Sequence, residues 1–594
     1  MADGNLPHGV IGNGRILALI APDTSVEWLC LPRFDSPSLF GRLLDAERGG
    51  FWRIDSVDDS ARATQSYERN TNVLTTRIEA DDGAFDVTDF APWIDLGYQM
   101  DAPVQLLRIL SPVRGHPRIR IRFEPAPDFA RQPVQFVMRT HAVEVHGHGC
   151  PVALYSDMPV DFILSGQSIA LDRPRFLALC AEGEIGSTEQ ALHLRDSTVW
   201  SWSNWVKSCA VPEFHAEAVV RSALCLKLHQ YAPTGAIIAA ATTSIPEELG
   251  TERTWDYRYC WLRDSALVVE ALRRLGCISE GERFLLYLRD IAAAGQLQPV
   301  YGIGGEMDLP EAFVESLAGF RGSGPVRIGN AASVQVQHDV MGELLLSMRA
   351  LLLDPRTALH AEGFRPLIDS LVESAADALF QPDTSIWEKR SEPAVHTFSQ
   401  ALCWAALQSG AQLAARAGDD AKASEWRAGA EEVHGKLLAQ AYNAGEGMFT
   451  ETFGGRLADA AILLLPMVGF VSARSEEFRS TCARYEEELV VNGLMMRYRH
   501  ADDFGVPRST FTICSFWWAE ALALSGQLDR ATEVFERLLE YSNAHGLFSE
   551  DIDPSSGEML GNFPQAYTHV GLVNAAITIG LLRAAREGRI APWR

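Results

Sequence analysis

The sequence predicts a multidomain β plus α chain: an N-terminal antiparallel β-sandwich over residues 1–200, a linker at 201–215, and an (α/α)6 toroid over residues 216–594. Two observations carry this. Apolar spacing changes from period two to period 3.6 between Leu179 and Val219, and these are the periods of half-buried strands and of amphipathic helices. The longest Gly-rich and aromatic loops then follow alternate helices, as though gathered at one end of a double ring.

In the first part, residues 118–123 read RIRIRF, with arginines on one face and Ile119, Ile121 and Phe123 on the other. Leu74, Thr76, Ile78 and Ala80 form a similar run; Asp81-Asp82-Gly83 supplies a turn, and Phe85 and Val87 begin the return of a hairpin. Further strand-like runs at 134–138, 143–145 and 176–180 are separated by Pro, Gly and Asp. Beyond 215, helical stripes include Phe284, Leu288 and Ile291; Trp426, Ala430, Val433 and Leu437; Phe478, Cys482, Tyr485 and Leu489; and Ala531, Val534, Phe535 and Leu538. With runs near 216–231, 263–275, 333–353, 361–380, 397–418, 457–464, 511–525 and 564–587, twelve helices are expected. No repeat of solenoid period is present, which favours the closed double ring over an open array.

A formal charge of −25 excludes nucleic acid as partner, because binding phosphates needs a basic face. The N-terminus lacks a basic region followed by an apolar core, so no secretory signal is read. The longest apolar run, 460–471, contains Pro466 and is shorter than the ~20 residues of a membrane span, so no membrane is expected. Ten scattered cysteines with no C-x-x-C pair lie mostly in apolar runs. They read as small buried hydrophobes in a reducing, cytoplasmic setting, with neither disulfide nor zinc arithmetic. No metal or cofactor is expected.

The functional reading centres on residues 251–276, TERTWDYRYCWLRDSALVVEALRRLG. Trp255, Tyr257, Tyr259 and Trp261 crowd against Asp256, Arg258, Arg263 and Asp264, and an apolar run ending at Gly276 follows. This predicts an extended approach and then a buried helix with Arg263-Asp264 in its first turn. Helix capping alone explains Asp264. Aromatic faces beside placed donors and acceptors also suit a sugar, so a ligand pocket and a buried structural network stay equally open. Residues 298–330, Gly-rich and including Arg327, form a loop long enough to be functional. Residues 386–390, IWEKR, set Glu388 beside Trp387, and 546–562 hold Glu550 in an acid-rich loop where Asp553 has plain turn chemistry. His338-Asp339 reads as ordering a helix start, and His396 and His569 read as hydrogen-bonding groups rather than metal ligands.

Several segments, in one order and nearly end to end, resemble glycoside hydrolase family 15, the glucoamylase family, in its bacterial and archaeal form with an N-terminal β-sandwich. They are IGNGRILALIAPDTSVEWLCLPRFDSPSLF, WDYRYCWLRDSAL, IWEKR, TICSFWWAEALALSG and GLFSEDIDPSSGEMLGNFPQAYTHVGLVNAA. The resemblance implies an exo-acting, inverting hydrolase of small α-glucosides or α-glucans, of the glucoamylase, dextran or trehalase type. Glu388 matches the general acid and Glu550 the general base. Arg263 and Asp264 match the grip on the terminal sugar, with Tyr257, Trp261, Trp387 and Arg327 as further substrate-binding residues. On this reading Glu388 should be partly dry and Glu550 wetter and ionised, with a water between them. Gly324, Gln400 and Arg508 depart from the family pattern and imply altered leaving-group subsites. A sugar phosphorylase, which would lack the base, and an inactive sugar-binding protein, which would have lost a carboxylate, are the alternatives. The oligomeric state is left open.

Overall fold

The computed structural model describes residues 6–97, 100–295, 297–390 and 393–591. The N-terminal part is built around two large antiparallel sheets, with a small two-stranded one, Ile94–Asp95 paired to Met100–Asp101, beside them. One runs, neighbour to neighbour, Gly9–Gly12, Leu17–Ile20, Val26–Cys30, Phe51–Ser56, Arg118–Glu124 and Ile169–Ala170, with Ser38–Phe40 paired to Val26–Cys30. The other runs Gln135–Met138, Ala142–His146, Val152–Ser156, Arg175–Cys180, Gln105–Gly115, Gly83–Phe90, Leu74–Ala80 and Arg62–Tyr67. Ile119, Ile121 and Phe123 are buried while the intervening arginines are exposed, so RIRIRF reads out its alternation in space. Those three pack in one cluster with Ile54 of their own sheet and Val87, Leu110 and Leu177 of the other. The expected hairpin forms, with Ala80 opposite Gly83 and Asp81-Asp82 at the turn.

Two short helices, α1 (Pro127–Ala130) and α2 (Val160–Ser165), lie in strand connections. A third, α3 (Thr188–Ser208), overturns the expected 201–215 linker by running through half of it. The Ser187 side chain caps it by accepting from the Gln190 N–H, and Ala191, Thr198, Trp202 and Val206 make one buried stripe. That stripe is diluted by Ser, Asn and charged residues, which hid its period. Trp202 stacks on Trp93 of the β part at 3.9 Å, while Trp205 donates its indole N–H to Glu280 of the helical part at 2.9 Å. The helix is a strap between the two parts, not a loose tether.

Eleven α-helices follow among the described residues: α4 (Ala216–His229), α5 (Leu262–Arg274), α6 (Ile278–Ala292), α7 (Asp339–Leu352), α8 (Arg365–Asp377), α9 (Thr397–Arg416), α10 (Asp420–Ala441), α11 (Glu476–Leu489), α12 (Thr512–Leu524), α13 (Leu528–Leu539) and α14 (Ala566–Arg586). The helix expected at 457–464 is only a 3₁₀ turn, Ala460–Leu464. It cannot extend as an α-helix because Pro466 has no N–H for the next rung. The helix expected from 333 starts at Asp339, after a separate 3₁₀ turn at Ala331–Val334.

Packing follows the chain. Helix α5 lies on α7, α7 on α9, α9 on the Ala460–Leu464 turn, that turn on α12, α12 on α14, and α14 back on α5. Helices α6, α8, α10 and α13 lie against α5, α9, α9 and α12, and α4 against α14. By length and composition α14 would suffice to cross a membrane, but 67% of that stretch is buried within the protein. It is apolar on all sides because other helices surround it. The β part joins the same core, with Leu19, Trp28 and Phe34 packed into the helical cluster.

Two glycines test this packing. A Cβ on Gly342 of α7 would meet the Leu402 carbonyl oxygen of α9 at 2.3 Å, whereas a Cβ on Gly429 of α10 would meet nothing within 4 Å. Gly342→Ala should therefore destabilise by about 1–3 kcal/mol. Gly429→Ala should stabilise by about 0.5–1 kcal/mol, because it removes unfolded-state freedom and clashes with nothing. Denaturant midpoints of the two variants check both signs.

Candidate active site

Residues 255–259 lead toward α5 as an irregular segment bridged to Thr243 at Asp256, and the two-residue strand Cys260–Trp261 that follows pairs with Val300–Tyr301. Its successive side chains still alternate between two faces, as along a strand, and this splits the crowded segment in two. On one face Asp256, Arg258 and Cys260 are buried. Arg258 forks onto Asp256 with N–H···O distances of 2.8 and 2.7 Å, and reaches the Ser36 carbonyl of the β part at 2.6 Å. On the other face Trp255, Tyr257 and Trp261 line a cavity, while the Tyr259 hydroxyl turns aside to accept from the Gly329 N–H. A cavity wall and a structural network are both present, one on each face.

The two candidate carboxylates stand on that cavity, each held by a ring of the same segment. The Tyr257 hydroxyl donates to Glu550 Oε1 at 2.7 Å, and the Trp261 indole N–H donates to Glu388 Oε1 at 2.6 Å. The two rings meet edge to face, with centroids 5.4 Å apart. Glu388 Oε1 also accepts from Arg263 at 3.2 Å and Gln337 at 3.3 Å. Three donors therefore converge on one oxygen, and the side chain keeps 25% exposure. The backbone of Glu388 has φ 58°, a left-handed conformation that costs a non-glycine residue about 1–3 kcal/mol. Hydrogen bonds from Lys389 N to the Thr384 carbonyl and from Gln335 Nε2 to the Glu388 carbonyl hold it there. The indole expected beside the acid, Trp387, lines the cavity but donates away from Glu388, to Asp459 at 2.9 Å. Its ring packs on Tyr498, Phe511 and Trp517 instead. The aromatic partner of Glu388 is Trp261.

Glu550 corrects the expected environment. It is 1% exposed, and its other hydrogen bond comes from the Asn562 N–H at 3.2 Å. Burial lifts its carboxyl well above the ordinary range, with Asp551 and Glu247 adding to the effect and Tyr257 and Asn562 opposing it. The surroundings are polar, as expected, but not wet. A small sheet positions it: Asp551–Ile552 pairs with both Thr510–Phe511 and Met559–Leu560. Gly561, at φ 71°, passes so close that an added Cβ would lie 2.6 Å from Glu550 Cβ, so the sequence needs glycine there. Asp553 accepts from Ser555 and Ser556 as turn chemistry requires.

Arg263 opens α5 and is 4% exposed. Besides Glu388 it reaches Asp339 at 3.0 Å and Gln337 at 2.7 Å, whereas Asp264 lies 3.6 Å from its Nε. Asp339, fully buried at the start of α7, is therefore the true counter-ion, and its ordering role acts on the site itself. The N-cap position of α5 is Trp261, which offers no side-chain cap, and Asp264 is the acid of the first turn, so the helix-terminus reading of Asp264 stands beside its place on the cavity. Its carboxyl lines the cavity, and burial raises its pKa to about 7. Nearby, Tyr567 lines the cavity with its buried hydroxyl unpartnered, leaving a donor for a ligand.

Arg327 is not among the lining residues; it is buried behind the wall and paired with Glu311. Gln400 bonds the backbone at Phe380 and Ala378, and Arg508 points into solvent beside Glu248. With Gly324 also outside the lining, none of the three departures from the family pattern touches the cavity. Sequence reading missed Glu247, Arg253, Arg390, Arg497, Tyr498, Asp502, Asp503, Phe504 and Tyr567, all on the cavity wall. Arg390, at the end of IWEKR, and Tyr567 alone stood in recognised segments. Among the described residues no group of three His, Cys, Asp or Glu side chains is placed to hold a metal ion.

The family model described as glycosyl hydrolases family 15 matches residues 213–577, and a trehalase-like N-terminal model matches 7–169. The chain belongs to glycosyl hydrolase family 15. This family 15 chain is a glycoside hydrolase. It is 35% identical to a trehalase of Mycobacterium tuberculosis over 98% of its own length and 90% of the relative's. To a trehalase of Thermoplasma volcanium it is 32% identical, over 96% and 92%. In fold it is similar to a bacterial glucoamylase solved with acarbose, at TM-score 0.69 and 13% identity, covering 98% of this chain and 94% of the other. That likeness fits a β-rich N-terminal part followed by a helical part.

Glu343, buried in α7 near Asp339 and Asp264, has its carboxyl pushed by burial to about 8. A group whose folded pKa is raised contributes stability that is complete below its unfolded pKa of about 4.3 and lost as pH climbs through the folded value. The melting temperature should therefore fall between pH 5 and pH 9. Glu343→Gln, which cannot ionise, should show a shallower fall, and parallel curves would remove Glu343 as a cause.

Proposed function

We propose that this protein hydrolyses α,α-trehalose to two glucose molecules, with inversion, acting from the sealed end of its cavity. One observation carries the catalytic reading: two carboxylates on one cavity, Glu388 and Glu550, held by Trp261 and Tyr257 of a single short segment. The choice of trehalose is supported by relatives named trehalase at 29–35% identity over nearly the whole chain. The further reading of the fold is a β-sandwich domain, bounded by the α3 strap, and an (α/α)6 toroid from α4 onward. The return of α14 onto α5 supports closure of that ring.

In this mechanism the terminal glucose lies at the closed end, where Arg263, Asp264 and Tyr567 meet its outer hydroxyls. Glu388 gives a proton to the oxygen shared by the two anomeric carbons. Its Oε1 is occupied by three donors, so the proton is carried by Oε2. Glu550 takes a proton from a water attacking the opposite face of the terminal sugar, which requires the carboxyls to stand about 6.5–9.5 Å apart. Burial raises the proton affinity of Glu550 and makes it a stronger base than a solvated carboxylate. The cost is that it must first lose its own proton.

Trehalose should give equal first-formed α- and β-glucose by NMR: β from the attacked carbon, α from the leaving sugar. Two α-glucose molecules would overturn inversion. Glu388→Gln should lower trehalose turnover by at least about 10²–10⁴-fold while largely sparing α-glucosyl fluoride, whose leaving group needs little acid help. Glu550→Gln should fail on both, and the reverse pattern would exchange the roles.

The acid limb of kcat/KM should lie above the ordinary carboxylate range of about 4.3, since activity falls as pH drops through the raised Glu550 value. Asp551→Asn removes a neighbouring charge that raises it, so that limb should move to lower pH. A limb that stays put excludes Glu550 as its source.

A further inference from the structure

The cavity is graded from a dry end to an open one. Glu550, Tyr567 and Asp264 are 1, 4 and 8% exposed, whereas Phe504 at the opposite end is 37% exposed. Three segments meet at that open end. Arg390, two residues after Glu388, spreads its guanidinium over the Trp255 ring at 5.1 Å and the Phe504 ring at 5.7 Å. It donates to Glu311 at 3.0 Å, and its own backbone N–H donates to Asp503 at 2.6 Å. We propose that Arg390, laid over the Trp255 and Phe504 rings at the cavity mouth and anchored from outside the lining by Glu311, limits the leaving group to a single sugar.

The inference rests on the reading in which Glu388 protonates the leaving oxygen. The leaving sugar then extends from Glu388 toward the mouth and meets ring faces and guanidinium N–H groups, the usual partners of pyranose C–H faces and hydroxyls. A second leaving-group sugar would have to displace the Arg390 guanidinium from the two rings it covers. An exposed ion pair alone would be a weak bar, worth about 0–1 kcal/mol. This one is stiff, because Glu311 is also the partner of Arg327, which is 5% exposed. Drawing Glu311 aside would leave a buried cation uncompensated. The other wall is pinned too: Arg253 holds Asp502 at 2.9 Å and the Gly505 carbonyl at 2.9 Å, fixing the turn that presents Phe504.

The test compares kcat/KM for trehalose with that for α-maltosyl α-glucoside, whose leaving group carries one more glucose. The wild type should favour trehalose by at least about tenfold. In Arg390→Ala the ratio should fall toward one, chiefly through a lower KM for the trisaccharide. Glu311→Gln should act in the same direction, and Arg390→Lys, which keeps the charge without the broad stacked fork, should lie between. An unchanged ratio in folded Arg390→Ala, or a wild type that cleaves both substrates equally well, overturns the proposal. Failure of the trehalose reading is seen separately, as wild type that releases no glucose from trehalose. The same ratio is then read on maltose against maltotriose, where the clamp stands or falls by the same criterion.

Discussion

The site depends on one buried cation. Arg263 is enclosed at the start of α5, where a charge can persist only if it is paired and hydrogen-bonded. Asp339 supplies the fixed counter-charge, Gln337 takes a further N–H, and the remaining reach of the guanidinium goes to Glu388. The first turns of α5 and α7 and the left-handed turn at Glu388 are therefore tied at one point. Without Arg263, Asp339 and Glu388 would lose their shared cation, and Asp264 would gain neighbours of its own sign.

The segment that leads into α5 performs two tasks by alternation. Its inward face, through Asp256 and Arg258, clamps the helical part to the β part at Ser36. Its outward face delivers Tyr257 and Trp261 to the two carboxylates. Spacing between the proposed acid and base is thus tied to one short segment, 257–261, and not left to the loops that carry them. This is how two acids on loops 162 residues apart in the chain, 388 and 550, are kept in register. Among the described residues the β part contributes none to the cavity lining, yet it braces the segment on which the lining is built.

The two carboxylates occupy unlike surroundings, which is what an acid and a base require, though in the reverse of the arrangement that local sequence suggests. Glu388, in an aromatic pentapeptide, is the more exposed and is ringed by donors; Glu550, in an acid-rich loop, is the buried one. Acidic neighbours in sequence imply water, but here the strand pairing of Asp551 and the close passage of Gly561 fold the loop inward over Glu550. Its high proton affinity comes from burial and from two further acids, Asp551 and Glu247, the second far away in the chain.

The sequence by itself determined the β-then-helix order, the strand faces of RIRIRF, ten of the expected helices closely and one with a late start, and the three segments that bring Tyr257, Glu388 and Glu550 to the cavity. These rest on local periodicity and on short motifs, which are properties of neighbouring residues. Tertiary structure alone decided the rest. The strap α3 was illegible because its buried stripe faces two parts at once and is interrupted by polar residues. Which indole serves Glu388, which acid neutralises Arg263, and whether Arg327, Gln400 and Arg508 reach the cavity were undecidable from spacing. The first two depend on side chains 127 and 76 residues apart in the chain meeting at one point, and burial, not composition, sets the charge state of what they surround.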